Sequence, residues 1–249
     1  MPRNAPSCDA FTPPPQDWFY DFDQSLWLPE EELAPQQADF IRKALHLRKG
    51  QAVLDCPCGV GRIAYYLVKA GIRIVGVDFM PEFIAAARGR FDAEKLPGRF
   101  EIMDMRQIRY GPIFHAAFNF SGSFGYFSDA ENANLVARYG AALRRGGRLL
   151  IDQPNRGFVL RNFRQRIERD DSIVENRWDA TSQRIHSNWI IRRGRHKRPN
   201  PMSMRLYTPA QMTAMLTKAG LEVESMYGEP DGSDYRRSSR RLIIVGRKK

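Results

Sequence analysis

The sequence contains few cysteines and no long apolar run. Only three of its 249 residues are cysteine, too few to support the disulfide framework of a small secreted domain. No apolar run approaches the roughly 18 residues that a membrane-spanning helix needs. The segment that begins at Met1 also lacks the apolar stretch of a signal peptide. These absences predict a cytoplasmic protein with no membrane partner.

The sequence also offers little to bind a metal ion. Cys56 and Cys58 form a C-x-C segment, but a closed zinc site needs four ligands. Cys8 lies in the loose amino-terminal lead-in, and His46 stands alone. We therefore predict no metal site, and we interpret Cys56 and Cys58 as small, buried packing residues.

The formal net charge of +11 is unevenly distributed along the chain. Residues 1–35 hold seven acidic side chains and one basic one, whereas residues 156–205 hold thirteen basic side chains and five acidic ones. Residues 236–249 add seven basic side chains and no acidic one. A basic middle and tail attract nucleic acid or an anionic small molecule. The alternative is a solvated, arginine-rich surface.

From residue 50 the apolar pattern alternates between strands and helices. Predicted strands are 52–56, 73–78, 100–105, 115–120 and 148–152, and predicted helices between them are 62–70, 81–91 and 131–143. Alternation of this kind indicates a parallel sheet with helices on both faces, a doubly wound α/β fold.

The pattern changes after Pro154. Residues 172–178, 184–192 and 202–207 have β-type composition with no obvious helix between them, and a helix at 208–219 and strands at 221–227 and 241–247 follow. We predict three parts: a lead-in of residues 1–49 whose helix covers the active site, a cofactor-binding α/β domain of residues 50–155 and 208–249, and an antiparallel insert of residues 156–207 that caps the acceptor.

A glycine-rich turn follows the first predicted strand. Gly59 and Gly61 match the G-x-G-x-x-A pattern, in which glycines let the backbone approach a ligand at a helix amino terminus. Asp78 ends the second strand, where a carboxylate can bind a ribose diol. Asp55 stands just before the turn, where it would repel the pyrophosphate of a nicotinamide or flavin dinucleotide but could pair with an ammonium. S-adenosylmethionine carries an ammonium and no phosphate, so the charges favour that cofactor.

Five ordered segments carry a resemblance to a known family. These are residues 53–62 (VLDCPCGVGR), 75–80 (VGVDFM), 100–106 (FEIMDMR), 119–127 (NFSGSFGYF) and 143–150 (LRRGGRLL). In this order they resemble the motifs of class I S-adenosylmethionine-dependent methyltransferases. The resemblance implies a Rossmann-like, seven-stranded, mostly parallel sheet with a small antiparallel β insert after strand five.

The resemblance also implies roles for individual residues. Cofactor contacts would come from Asp55, Gly59 and Gly61 at the methionyl end, Asp78 at the ribose, Phe79 or Met80 on an adenine face, Asp104 and Met105 at the adenine edge, and Asn119 and Phe120 near the transfer site. Arg62 would either reach the carboxylate of the cofactor or form a structural salt bridge. Two positions depart from the family pattern. Pro57 stands where glycine is usual, and His115, which we interpret as a strand-edge residue, stands where many members carry aspartate.

The acceptor side is predicted from segments outside the core sheet. Candidates beside the transferred methyl group are Tyr20, Tyr126 and Tyr207, and candidates for acceptor binding are Trp18, Ser123, Phe124 and Arg205. The alternative for each is a role in core packing or in the rim. An arginine such as Arg205 would suit an anionic acceptor, because a guanidinium grips carboxylate or phosphate with two hydrogen bonds.

The predicted function is methyl transfer from S-adenosylmethionine to nitrogen, oxygen or carbon of a small molecule by in-line displacement, with S-adenosylhomocysteine as the product. One alternative is an RNA or protein methyltransferase that uses the basic insert and tail. The fourth strand, however, leads into Asn119-Phe-Ser-Gly rather than the Asn-Pro-Pro-Tyr type of nucleic-acid amino methylases. Two further alternatives are a non-catalytic S-adenosylmethionine-binding subunit and a nicotinamide enzyme.

Overall fold

The computed structural model describes residues 31–170, 172–191 and 199–249, with the side chain of Pro199 excluded. Within them, a seven-stranded sheet has the strand order β10-β11-β5-β4-β1-β2-β3. Its strands are β1 (Ala52–Asp55), β2 (Arg73–Asp78), β3 (Arg99–Ile102), β4 (Phe114–Asn119), β5 (Leu143–Pro154), β10 (Leu221–Tyr227) and β11 (Arg241–Lys248). The first five are parallel, and β11 pairs antiparallel with both β5 and β10. The predicted fold class is confirmed.

Six α-helices are described: α1 (Ala34–Ala44), α2 (Arg62–Lys69), α3 (Pro81–Ala93), α4 (Asp129–Ala142), α5 (Arg156–Arg161) and α6 (Pro209–Lys218). Their starts follow local chemistry. Capping boxes satisfy free backbone N–H groups at α4 (Ser128 with Glu131) and at α6 (Thr208 with Gln211). Pro81 begins α3, where a missing N–H costs nothing.

Both faces of the sheet are buried. Successive residues of a strand point to opposite faces, so Val53 belongs to a cluster with Ile41 and Leu67 of α1 and α2. Leu54 belongs to a second cluster on the other face, with Tyr139 of α4 and other residues of α4 and α6. Strand order reverses between β1 and β4, and ligands in such folds bind at the carboxyl ends of the strands where this happens.

A second sheet follows β5 in the chain. It contains β6 (Arg166–Glu168), β7 (Ser172–Asp179), β8 (Arg184–Ile191) and β9 (Pro199–Arg205), each antiparallel to the next. The sequence predicted three of these strands. It missed β6, which is only three residues long, and placed β9 three residues too late.

The structure differs from the sequence prediction at three further elements. Strand β5 begins at Leu143 rather than at residue 148, because Gly146 takes a φ of 76° and the ladder to β4 shifts register there instead of ending. Strand β3 ends at Ile102, and Met105–Gln107 forms a short 3-10 helix capped by Asp104. Helix α5 was not predicted; Asn155 caps it with a side-chain oxygen. No helix in the described ranges is long and apolar enough to cross a membrane.

His115 lies at the amino end of β4 and makes stability depend on pH. Its Nδ1 accepts the Ala52 N–H at 3.1 Å, and its Nε2 lies 2.7 Å from a guanidinium nitrogen of Arg144. Burial and the charge of Arg144 lower the pKa of His115 below its ordinary value. As pH falls, His115 is therefore protonated at a higher pH in the unfolded chain than in the folded protein. We expect the free energy of unfolding to decrease as pH falls from about 6.5 through the folded-state pKa.

Denaturant unfolding between about pH 5 and 7 checks this expectation. The matched variant is His115→Gln, which keeps a hydrogen-bond acceptor but does not titrate. Its stability should vary less with pH than that of the wild type. Equal pH dependence in the two proteins would show that His115 is not the group responsible.

Candidate active site

The turn between β1 and α2 lies at the carboxyl edge of the sheet. Gly59 and Gly61 have φ values of +53° and +71°, in the left-handed region that favours glycine. A Cβ on Gly61 would lie 3.2 Å from the Cβ of Ala87 and 3.3 Å from the ring of Phe100, so α2 packs closely there. A Cβ on Gly59 would meet nothing within 4 Å, because this residue lines an open cavity. The turn therefore presents its backbone to a ligand.

Pro57, the departure from the family pattern, follows a cis peptide bond from Cys56. Both flanking cysteines are free thiols and are buried, and burial raises the pKa of each. The described residues contain no group of three or more His, Cys, Asp or Glu side chains placed to hold a metal ion.

Asp78 joins the glycine turn to the start of α3. Its carboxylate accepts the Gly59 N–H at 2.9 Å and the Met80 N–H at 3.0 Å. Burial raises the pKa of Asp78, and these backbone hydrogen bonds oppose the shift. The carboxylate thus fixes the distance between two loops that line the cavity.

Asp55 has a buried carboxylate at the edge of the cavity. It is 2% exposed at the end of β1, and its Oδ2 has no hydrogen-bond partner. Burial, with the negative charge of Asp78, raises the pKa of Asp55 well above its ordinary range. A buried carboxylate oxygen without a partner is costly in a folded protein. Because Asp55 lines the cavity, a cationic ligand group there would satisfy it.

Asp104 and Met105 reach the cavity from the segment after β3. Both oxygens of Asp104 accept hydrogen bonds from Arg106, with a closest approach of 2.7 Å. Arg106 also pairs with Glu131 at 2.9 Å, and these two acids raise its pKa. No sequence pattern predicted this ion-pair network. It holds Asp104 in place and leaves its carboxylate at the cavity wall.

The other predicted cofactor residues divide into two groups. Arg62, Phe79 and Phe120 line the cavity. Gly61, Met80 and Asn119 do not. Met80 is buried in the fold. The Asn119 amide donates to the Tyr139 hydroxyl at 3.3 Å, and this hydrogen bond joins the end of β4 to α4.

Past the carboxyl end of β4, the lining of the cavity is mostly apolar. It has a volume of about 300 Å³, and the loop between β4 and α4 contributes the predicted residues Ser123 and Tyr126. Burial raises the pKa of Tyr126 to about 12, while a hydrogen bond with Ser123 opposes the shift. Tyr126 is therefore a neutral phenol at physiological pH. Lining residues that the sequence analysis missed include Ile63, Phe83, Phe118, Ser121 and Phe127.

Three predicted acceptor residues do not line the cavity. Phe124 is fully buried and packs against the ring of Tyr207. The Tyr207 hydroxyl donates to Asp129 at 2.7 Å, and the Arg205 guanidinium pairs with the same carboxylate at 3.0 Å. The described contacts give these two side chains a role in joining β9 to α4. Trp18 and Tyr20 lie outside the described residues.

The second sheet supports the acceptor end through Arg184 of β8. Its guanidinium donates to the carbonyl oxygens of Tyr126 at 2.7 Å and Phe127 at 2.9 Å, and more weakly to that of Gly125 at 3.2 Å. Its Nε also donates to the Ser203 hydroxyl at 2.7 Å. One planar guanidinium thus holds three consecutive carbonyls of the loop that carries Tyr126 and Phe127.

We expect Arg184→Lys to loosen this loop, because an ammonium cannot reproduce the planar fork of donors. The free energy of unfolding should fall by about 1.5–3 kcal/mol, the range for a lost hydrogen bond to a charged group. Hydrogen exchange at residues 125–128 should accelerate. The matched control is Arg166→Lys, in the same sheet but exposed and paired with exposed glutamates, which should change stability little. Unchanged hydrogen exchange at residues 125–128 in the Arg184 variant would show that Arg184 does not hold this loop.

These residues fit S-adenosylmethionine. The partnerless oxygen of Asp55 matches its ammonium, Asp78 matches a ribose diol, and Phe79 and Met105 offer apolar faces to adenine. Two carboxylates, those of Asp55 and Asp78, line the cavity at the glycine turn, where a dinucleotide would place its pyrophosphate. The charges of the site therefore disfavour a dinucleotide.

Comparison with known proteins agrees with this geometry. Residues 53–147 match the model of a methyltransferase domain. The chain is 32% identical over 117 residues to an S-adenosyl-L-methionine-dependent Diels-Alderase of Talaromyces variabilis, covering 45% of this chain and 39% of that protein. It is 26% identical over 210 residues to the dTDP-3-amino-3,4,6-trideoxy-alpha-D-glucopyranose N,N-dimethyltransferase of Streptomyces venezuelae, covering 78% and 84% of the two chains.

Among solved structures, the CcbJ methyltransferase of Streptomyces caelestis superposes with a TM-score of 0.77 at 17% identity, covering 94% of this chain and 98% of that one. The likeness to that structure shows the fold. The chain spans only 39% and 51% of the first two curated relatives. The motifs, the fold and the matched domain together support a class I S-adenosylmethionine-dependent methyltransferase. The cofactor of that class is S-adenosylmethionine.

Proposed function

We propose that this protein transfers the methyl group of S-adenosylmethionine to a small-molecule acceptor by in-line displacement. The observation that carries the proposal is the buried Asp55 carboxylate, which has a partnerless oxygen beside the glycine turn. Asp55, Gly59, Gly61, Arg62, Asp78, Phe79, Asp104 and Met105 would hold the cofactor. When bound, this cofactor supplies a methyl group already activated by a sulfonium. The protein's own contribution is position and exclusion of water.

The acceptor end of the cavity favours an amine over an alcohol. Its described lining contains no His or Glu side chain, and Tyr126 is too weak an acid to be an ionised base at physiological pH. An alcohol needs help to lose its proton before it attacks. An ammonium must also lose a proton, but with a pKa of about 10.4 it gives that proton to water far more readily than an alcohol does. The neutral amine is then nucleophilic without a base, and Tyr126 could orient it through a hydrogen bond. The similar dimethyltransferase of Streptomyces venezuelae, whose name gives an amino sugar as its substrate, supports the same choice.

A nucleic-acid substrate has less support. In the described tail, Arg247 and Lys249 approach Glu224 and Glu222 at 3.7 and 3.6 Å, and Arg148 pairs with Glu224 at 2.6 Å. The charges of these three basic residues are partly neutralised by Glu222 and Glu224. The free, buried thiols of Cys56 and Cys58 agree with the proposed reducing cytoplasm.

Calorimetric titration with S-adenosylmethionine, S-adenosylhomocysteine and NAD tests the cofactor, and only the first two should bind. Transfer of a labelled methyl group to paired amine and hydroxyl analogues of one scaffold then tests the acceptor. Faster labelling of the amines is expected. Binding of NAD alone would refute the proposed function. Preferential labelling of hydroxyl compounds would refute the proposed preference for an amine acceptor.

A further inference from the structure

Four arginines near the carboxyl ends of the central strands have no acidic partner among the described residues. Arg156 and Arg161 belong to α5, and Arg236 and Arg237 belong to the loop between β10 and β11. None of the four forms an ion pair with any carboxylate in residues 31–170, 172–191 and 199–249. Their neighbours in the same loop are paired: Arg240 with Glu229 at 3.1 Å and Arg241 with Asp152 at 2.5 Å. We call these four residues the arginine platform.

The buried Asn155 holds the two parts of the platform together. Its side-chain amide donates to the carbonyl oxygens of Ser239 at 2.7 Å, Arg237 at 3.3 Å and Arg236 at 3.5 Å. The Arg161 guanidinium also donates to the Arg237 carbonyl oxygen. The backbone beneath the four side chains is therefore fixed by hydrogen bonds, although the side chains themselves are exposed or half-buried.

The platform stands beside the acceptor end of the cavity. Pro154 leads directly into α5, and Arg241 ends the loop that carries Arg236 and Arg237. A Cβ on Gly122 would lie 3.3 Å from Nη2 of Arg241 and 3.8 Å from Cδ of Pro154. Ser121, next to Gly122, lines the cavity. Both segments of the platform thus adjoin the loop between β4 and α4 rather than the glycine turn.

The four guanidinium groups have no carboxylate partner among the described residues, so this surface is positive and can attract an anion. Arginine suits a phosphate group because its planar donors bind two oxygens at once. We propose that the arginine platform binds a phosphate-type group of the acceptor, so that the acceptor is a phosphate or diphosphate ester whose reactive end enters the cavity. This inference rests on the proposed function. It assigns the anion-binding role to the arginine platform instead of Arg205, whose guanidinium pairs with Asp129.

Inorganic pyrophosphate is a probe that needs no knowledge of the acceptor. We expect calorimetry at low ionic strength to show binding to the wild type, and binding about tenfold weaker to Arg161→Gln/Arg237→Gln, since two charge-assisted contacts are lost. The matched control is Arg240→Gln, in the same loop but paired with Glu229, which should change the affinity less than twofold. S-adenosylhomocysteine should bind all three proteins equally, which shows that they are folded.

The outcomes separate the inference from the proposed function. Failure to bind S-adenosylhomocysteine would refute the proposed function, while the pyrophosphate titration would still decide the platform. Equal pyrophosphate affinity in the wild type and the double variant would show that the arginine platform does not bind the anion. An equal loss of pyrophosphate affinity in Arg240→Gln would also overturn the inference. Oligouridylate that binds more tightly than pyrophosphate and is lost in the same double variant would overturn the small-molecule assignment in favour of RNA.

Discussion

Replacement of Arg241 by methionine should lower the free energy of unfolding by about 3–5 kcal/mol, because it leaves a buried charge without its partner. Asp152 is 2% exposed at the end of β5, and Arg241 binds both of its oxygens, at 2.7 and 2.5 Å. Burial already raises the pKa of Asp152, and the charge of Arg241 opposes that shift. Denaturant unfolding of the two proteins measures the difference.

The matched control is the neighbouring Arg240→Met. Arg240 pairs at a similar distance with Glu229, but its side chain is 72% exposed, so its loss should change stability by less than about 1 kcal/mol. In the double variant Arg241→Met/Asp152→Asn, no uncompensated charge remains and part of the stability should return. Equal effects of the Arg240 and Arg241 substitutions would contradict the account.

The same ion pair also shapes the acceptor end. Asp152 accepts the Ser121 N–H at 2.9 Å, and Ser121 takes a φ of 64°, which is unusual for a residue other than glycine. The loop between β4 and α4 is thus held from one side by Asp152 and from the other by Arg184. This loop carries Ser121, Tyr126 and Phe127, which line the cavity.

Asp78→Ala should weaken S-adenosylmethionine binding by about 1–3 kcal/mol, measured by calorimetry. The substitution removes the proposed ribose contact and also leaves the Gly59 and Met80 N–H groups without their acceptor. The substitution should therefore release the glycine turn from the start of α3 and also remove a ligand contact. Asp78→Asn, which keeps one acceptor oxygen, should lie between the wild type and the alanine variant.

The control for this series is Asp92→Ala, an exposed acid of α3 outside the cavity, which changes the net charge by the same amount. It should leave cofactor affinity unchanged. An Asp78→Ala protein that is folded and binds S-adenosylmethionine as tightly as the wild type would remove Asp78 from the cofactor site.

The cofactor half of the site was predictable because its chemistry is local in sequence. Asp55, Gly59 and Gly61 lie within seven residues, and strand β1 and helix α2 dictate how they are presented. Asp78 ends the next strand, and the carboxyl ends of parallel strands meet at one edge of the sheet. Residue type and strand position therefore sufficed to indicate S-adenosylmethionine, and the family motifs repeat that information.

The acceptor half depended on contacts between distant segments. From sequence, Arg205 suited an anionic ligand, but Asp129, 76 positions earlier, occupies its guanidinium. Arg241 gave no sequence signal, yet it pairs with Asp152 across 89 positions. Whether an arginine in a basic chain faces an acid, a backbone carbonyl or solvent is decided only when β8, β9 and β11 are packed against their neighbours. The sequence alone thus determined the fold and the cofactor, whereas the tertiary structure decided which basic side chains remain available to an acceptor.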